Sequence, residues 1–168
     1  MQFCVNTLRF NDIPGTPWIY EANEELFHAF KGSTLRDLAT PKVGLQTGEN
    51  NKFIRLWHEV SYQKIYFLAH SIDDAKKSGF KWFPYNKGGD YRKWYGNNDY
   101  IVNWENDGFD IKHFKNDKGK LRSRPQNTEY YFRHCVSWSK ISAGSISFRF
   151  KEDGFIFDVA GTSFFRQR

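Results

Sequence analysis

Aromatic rings alternate with cations and amides over residues 81–104, which read KWFPYNKGGDYRKWYGNNDYIVNW. Lysine and arginine neutralise phosphates without reading a sequence, whereas amides and guanidinium groups can pair with base edges. Aromatic rings can stack on an exposed base. The stretch is therefore typical of a nucleic-acid contact. It is equally typical of strands whose tryptophans and tyrosines pack in a core between solvated cations.

A second stretch, residues 40–57, reads TPKVGLQTGENNKFIRLW. We predict a strand near residues 42–45, a polar loop over 46–52 and a second strand over 53–57. Gly44 and Gly48 would let the loop backbone approach a phosphate or a base. The loop is not a phosphate-binding P-loop, because the GK[ST] ending and the following helix are missing. Taken alone, an ordinary hairpin loop explains the same pattern.

A third stretch, residues 117–124, reads DKGKLRSR and contains few residues that suit a core. Such a basic segment could lie along a sugar-phosphate backbone, and a plain solvated loop would look the same.

Length and composition predict one folded domain. A chain of 168 residues can close a real core, and an aromatic content of 19% argues against disorder. The net charge of +6 favours anionic partners without naming the anion. The N-terminus lacks a secretion signal, and no apolar run could span a bilayer, so we expect a cytoplasmic protein.

Enzyme chemistry finds little support in the sequence. Cys4 and Cys135 lie far apart without zinc-type spacing, so we expect no metal site. The five histidines are scattered and no GxSxG motif accompanies them. Asp110 and Lys112, preceded by several acids, could imitate the core of a metal-dependent nuclease, although such strings are common by chance. The acids are Asp99, Glu105 and Asp107.

The pattern of elements predicts an α+β fold, with one mixed, mostly antiparallel twisted sheet and flanking helices. We predict an N-terminal segment and linker over residues 1–17, including an edge strand over 1–10, and a single domain over 18–168. Helices are expected over residues 18–31, from Ser71 to Gly79 and over 104–115. A short helical turn is expected before Ala39, with a capping box between Thr34 and Asp37. Strands over 145–150 and 155–159 flank a turn at 151–154, which predicts a hairpin.

Five collinear blocks between residues 13 and 165 carry a resemblance to a known family. They read KVGLQTGENNKFIRLWHEV, KWFPYNKGGDYRKWYGNNDYIVNWENDG, LRSRPQNTEYYF, VSWSKISAGSISFRF and GFIFDVAGTSFF. In this order they closely resemble the PglX family of BREX phage-defence adenine-specific DNA methyltransferases. Five blocks in one order are far more specific than any one of them.

The resemblance implies a role in DNA recognition. In that family the blocks lie downstream of the catalytic domain, in a target-recognition region similar to the specificity domains of Type I and Type IIG restriction-modification enzymes. This chain would then hold double-stranded DNA and select its sequence. A catalytic domain missing from this chain would bind S-adenosylmethionine and methylate a flipped-out adenine. We expect no cofactor and no catalytic residue in this chain, which could be a natural truncation, a split gene product or an excised piece.

The resemblance and the residue pattern together suggest that loops over 44–52 and 86–98 lie over one groove of DNA. The predicted base readers carry amide, hydroxyl or guanidinium groups. They are Gln46, Thr47, Asn50, Asn51, Asn86 and Arg92. The predicted phosphate contacts are Lys42, Lys52, Lys87, Lys93, Arg122, Arg124, Lys140 and Arg149. Four tryptophans are assigned to packing: Trp82, Trp94, Trp104 and Trp138.

A protein-binding module is the rival interpretation. The same basic aromatic surface could grip an acidic partner, such as another defence component or a phage DNA mimic. Other partners expected from the resemblance are a separate methyltransferase domain and further BREX components.

Overall fold

The computed structural model describes residues 6–19 and 23–167. Their contacts divide them into two compact units. One comprises the described residues up to Thr40 together with Gln167, and the other comprises Pro41–Arg166. The boundary after residue 17 stays a prediction.

Short helices form the first unit. They are a 3-10 helix at Thr7–Asp12 and the α-helices α1 (Glu24–Ala29) and α2 (Leu35–Leu38). Helix α1 begins later than predicted because the Asn23 side chain caps it, accepting from the Leu26 N–H at 3.0 Å. The predicted capping box at α2 is confirmed by the Thr34 N–H donating to Asp37 at 2.8 Å. The predicted edge strand over residues 1–10 lies partly outside the described residues, and its later part belongs to the 3-10 helix.

The other helices are short as well. They are α3 (Asn50–Phe53), α4 (Ile72–Ser78) and α5 (Glu105–Lys112), with 3-10 helices at Trp57–Glu59, Tyr62–Lys64 and Thr128–Tyr130. Helix α4 begins and ends as predicted. Ser71 Oγ accepts from the Asp74 N–H at 3.1 Å, and Gly79 ends the helix in a left-handed conformation at φ +68°.

In the described part of the chain, eight strands form two four-stranded sheets. They are β1 (Ala39–Lys42), β2 (Ile54–Leu56), β3 (Trp82–Asn86), β4 (Tyr100–Asn103), β5 (Cys135–Trp138), β6 (Phe148–Lys151), β7 (Ile156–Phe157) and β8 (Ser163–Arg166). The orders are β1-β8-β5-β6 and β2-β4-β3-β7. Strand β7 runs parallel to β3, whereas the β2–β4, β3–β4, β5–β6 and β5–β8 pairs are antiparallel. The α+β prediction is confirmed, with two sheets where one was expected.

The predicted hairpin between β6 and β7 is wrong, because the two strands belong to different sheets. Strand β6 pairs with β5, whereas β7 runs parallel to β3. The turn between them packs closely against a distant segment. At Gly154, where φ is +98°, an added Cβ would lie 2.2 Å from the Phe67 carbonyl oxygen. This contact sets the turn against Phe67 rather than in a tight hairpin.

Large rings fill the core of the second unit, around β3 and β7. Trp104 and Tyr131 pack edge to face with centroids 5.3 Å apart, and Phe83 and Phe132 do so at 5.5 Å. The packing role predicted for Trp104 is therefore confirmed. Trp94 is 71% exposed, which corrects the same prediction for that residue.

Candidate nucleic-acid interface

Predicted DNA contacts from separate parts of the second unit line one surface cleft of about 590 Å³. We call it the polar cleft. Its first wall is the loop after β1, its second wall is Lys87 at the end of β3, and its floor follows β7. The lining residues are Gln46, Thr47, Gly48, Glu49, Asn50, Asn51, Lys87, Asp158, Val159 and Ala160.

The loop reaches this position because Gly44 has no side chain. A Cβ on Gly44 would lie 1.9 Å from the Phe157 carbonyl oxygen, so only glycine lets the two backbones approach. The Leu45 N–H then donates to Phe157 O at 2.7 Å, and the Val159 N–H donates to Leu45 O at 3.1 Å. These two bonds hold the loop against the C-terminal end of β7 and the residues that follow it.

Within the loop, one of the predicted base readers has a structural role instead. Thr47 is only 2% exposed, and its hydroxyl donates to Asn50 Oδ1 at 2.7 Å. The side chain therefore shapes the loop and is not free to reach a base, which corrects the prediction for Thr47. Gln46, Asn50 and Asn51 are exposed.

Asp158 lies in the floor of the polar cleft, and the sequence analysis missed it. One carboxylate oxygen accepts from the Tyr85 hydroxyl at 2.6 Å, and the other accepts from the Ala160 N–H at 2.6 Å. Burial raises the pKa of Asp158, against the opposing effect of these bonds and of Lys87. The only sequence signal is an acid directly after an apolar strand, which is too common to predict a site.

The basic segment 117–124 lies beside the loop. Gln46 and Arg124 exchange two backbone hydrogen bonds, of 3.1 and 2.8 Å. The Arg122 guanidinium lies 3.6 Å from the Glu49 carboxylate. The side chains of both arginines are exposed. Two stretches that sequence reasoning treated separately therefore form one rim of the polar cleft.

Lys140 and Lys87 flank the opposite end of the cleft floor. The Lys140 N–H donates to Ala160 O at 2.9 Å. Gly88, the residue after Lys87, lies so close to Ala160 that an added Cβ would be 2.8 Å from the same Ala160 carbonyl oxygen. The Lys87 ammonium lies 4.9 Å from the centroid of the Tyr100 ring. Lys87 is half-buried and lines the cleft, whereas Lys140 is exposed and its backbone lies beside Ala160.

Two predicted contacts are wrong because the side chains are fully buried. Asn86 is 0% exposed and donates to Ser137 Oγ at 2.7 Å. Arg149 is also 0% exposed and donates to Ser147 Oγ at 2.8 Å and to Ser139 Oγ at 3.0 Å. Their donors stabilise the fold and cannot reach DNA.

The remaining predicted contacts do not line the polar cleft. Arg92 and Lys93 are exposed on a segment that runs along β6, where the Trp94 N–H donates to Phe148 O at 2.8 Å. Lys42 is half-buried, and its ammonium lies 4.7 Å from the Tyr130 ring centroid. The ammonium of Lys52, which is exposed, lies 4.6 Å from the Phe114 ring centroid.

The nuclease alternative gains no support from the geometry. Lys112 pairs with Asp107 at 2.6 Å within α5. Among the described residues, no group of three or more His, Cys, Asp or Glu side chains is placed to share a metal ion. No helix in the described part of the chain has the length and apolar character needed to cross a membrane.

The fold and the cleft define a class: a basic α+β unit with a polar cleft rimmed by exposed cations. No family model matches the chain. It is 42% identical over 161 residues to the adenine-specific methyltransferase PglX of Lacticaseibacillus casei (strain Zhang), covering 93% of this chain and 13% of that protein. It is 38% identical over 164 residues to the adenine-specific methyltransferase BrxX of Escherichia coli O9:H4 (strain HS), covering 95% of this chain and 12% of that protein.

These similarities confirm the resemblance given by the sequence blocks. Over most of its length the chain is therefore similar to a part of each of these two adenine-specific methyltransferases. It spans only about an eighth of the length of these two relatives.

Proposed function

We propose that the chain recognises double-stranded DNA as the target-recognition part of a site-specific adenine methyltransferase of a BREX phage-defence system. A methyltransferase that acts on an adenine in a duplex must select its site and extrude the base. A part that reads the flanking sequence is therefore required. Binding of S-adenosylmethionine and methyl transfer belong, in this proposal, to the parent protein outside this chain, and the setting is the cytoplasm.

One observation carries the proposal: exposed amides of the loop after β1 line the polar cleft together with Lys87, and exposed cations of two further segments lie beside it. Gln46, Asn50 and Asn51 present amides, which both donate and accept and so suit base edges. Lys87 lies in the cleft with them.

Cations at the rim of the cleft suit the phosphate backbone. Arg122 and Arg124 lie beside the loop, and Lys140 lies beside Ala160. Contacts to phosphate fix the position of a duplex, and contacts to base edges select its sequence. The arrangement supplies both kinds of group on one surface, and the net charge of +6 would attract DNA from a distance.

Fluorescence anisotropy with labelled duplexes at several salt concentrations tests the phosphate contacts. We expect affinity to fall steeply with salt. Arg124→Ala and Lys140→Ala should each weaken binding to all sequences and reduce the slope of log K against log salt by about 0.9. Lys64→Ala is the matched control, because Lys64 is exposed and lies away from the polar cleft. Its neighbour Ile65 bridges to Trp82, at the end of β3 opposite Lys87.

Selection from a random duplex library tests the base readers. Gln46→Ala and Asn51→Ala should each relax the preference at one base position by about 1–3 kcal/mol. Gln63→Ala, an exposed glutamine outside the polar cleft, should leave the selected motif unchanged.

Two outcomes would reject the proposal. One is binding to duplexes that does not depend on salt or on the cleft variants. The other is indifference to DNA combined with tight binding of polyglutamate, which would favour the rival module for an acidic protein partner.

A further inference from the structure

A second cleft, of about 400 Å³, differs from the polar cleft in having aromatic walls. We call it the aromatic cleft. Its apolar lining includes Trp57, Tyr62, Phe67, Leu68, Tyr95 and Phe155. Tyr62 and Leu68 are each 69% exposed, and Tyr95 is 65% exposed. Adjacent large apolar side chains left open to solvent mark interaction sites.

Two carboxylates lie at this cleft in a chain whose net charge is positive. Glu152 and Asp153 line it, and no lysine or arginine is among the described residues that do so. Glu152 is exposed and makes no hydrogen bond or ion pair within residues 6–19 and 23–167. Asp153 already accepts from the His134 N–H at 2.6 Å. Glu152 is therefore the carboxylate available to a ligand.

The acidic edge of the aromatic cleft is fixed in place. Glu152 and Asp153 belong to the turn that ends at Gly154, where close approach to the Phe67 carbonyl leaves no room for a Cβ. The same contact holds Phe67 and Leu68 beside the carboxylates. The segment that carries Phe67 and Leu68 is thus in direct contact with the turn that carries the two carboxylates.

A buried lysine holds the segment that carries Tyr95. The Lys151 ammonium donates to Gly96 O at 2.7 Å and to Asn97 O at 3.1 Å, next to Tyr95. It also donates to the Asn98 side chain. With the segments that carry Leu68 and Tyr95 held by the fold, the cleft is preorganised for a ligand.

We propose that the aromatic cleft binds an arginine side chain presented by a partner protein. A planar guanidinium stacks on aromatic faces and pairs with a carboxylate through parallel hydrogen bonds. The aromatic walls and Glu152 offer both contacts together. Nucleic acid is disfavoured here because the two carboxylates would repel phosphates. This inference goes beyond DNA recognition and does not depend on the polar cleft.

The probe is the peptide N-acetyl-Gly-Arg-Gly-amide, with the citrulline peptide as its neutral counterpart. Titrations of the chain are followed by NMR at the Trp57 indole N–H. We expect a saturable shift with the arginine peptide and roughly threefold weaker binding of the citrulline peptide.

Variants identify the groups responsible. Glu152→Gln should weaken binding of the arginine peptide roughly threefold and remove its advantage over citrulline. Tyr62→Ala should weaken both peptides. Glu129→Gln is the matched control, an exposed carboxylate that does not line the cleft. Tyr62, Glu152 and Glu129 are all exposed, so these variants should fold normally.

Several results would overturn the inference. They are equal affinity for the two peptides, no saturable shift at tens of millimolar peptide, an unchanged affinity in Glu152→Gln, and an equal loss in Glu129→Gln. None of these results bears on DNA binding, so each proposal can fail without the other.

Discussion

Cations on strand β6 and cations at the rim of the polar cleft have opposite surroundings. Arg149 and Lys151 are buried, and their donors bind serine hydroxyls, an amide and backbone carbonyls. Arg124 and Lys140 are exposed, with side chains that make no hydrogen bond in the described part of the chain. The comparison shows that residue type alone does not separate a binding cation from a structural one. Burial and the supply of local acceptors separate them.

Two asparagines show the same contrast. Asn86, at the end of β3, is buried and donates to Ser137 Oγ at 2.7 Å and to Gly161 O at 3.3 Å. Asn51 is exposed in the polar cleft. Each pair of like residues therefore provides its own control, since one member is buried and hydrogen-bonded and the other is exposed.

The largest effect should come from the arginine pair. Arg149→Ala removes a large buried side chain and leaves Ser147 Oγ without its donor, so we expect a loss of about 3 kcal/mol in the free energy of unfolding. Arg124→Ala should change it by less than about 0.5 kcal/mol. Urea denaturation measures both. Equal losses would break the comparison.

The asparagine pair should give the next largest effect. Asn86→Ala leaves the buried Ser137 hydroxyl oxygen without its amide donor, which we expect to cost about 2 kcal/mol. Asn51→Ala should be neutral or slightly stabilising, because alanine is the better helix former at this position in α3. Thermal unfolding followed by circular dichroism distinguishes the two. A stable Asn86→Ala protein would contradict the structural role given to that amide.

The smallest effect concerns the pH dependence of stability at Lys151. Burial, with a further contribution from Arg149, lowers its pKa to about 8 from the ordinary 10.5. Below pH 8 Lys151 is protonated in both the folded and the unfolded chain, and its buried charge destabilises the folded chain. Between pH 8 and 10.5 the unfolded chain holds the proton that the folded chain has lost, so the stability contributed by this group rises with pH.

Comparison with Lys151→Met measures that contribution, because the methionine variant keeps the other titrating groups. The free energy of unfolding of the unmodified chain, minus that of the variant, should rise by about 1–3 kcal/mol from pH 7.5 to 10.5. A difference that stays flat or falls over this range would show that Lys151 is not desolvated in the folded chain.

Local signals predicted local structure well. The capping box at Thr34, the cap at Ser71 and the end of α4 at Gly79 depend on neighbouring residues, and the structure confirms them. The α+β class and the exposed positions of Gln46 and Asn51 were predictable as well, since turn-forming and polar residues cluster there.

Contacts between distant segments could not be predicted. The hairpin prediction failed because β7 pairs with β3, which lies far away in the sequence. Asn86 and Arg149 looked like surface groups because the sequence reveals neither their burial nor their partners on other segments, Ser137 and Ser139. Asp158 was missed because its role depends on Tyr85.

By itself the sequence determined the α+β class, the family resemblance, the basic charge and the glycine-broken loop after β1, because composition and short-range spacing act locally along the chain. Only the tertiary structure decided which cations and amides face solvent, which strands share a sheet and which loops meet at a cleft. The physical reason is that burial and hydrogen bonding depend on partners brought together by folding. A polar side chain can be buried only where the fold supplies it with a hydrogen-bond partner.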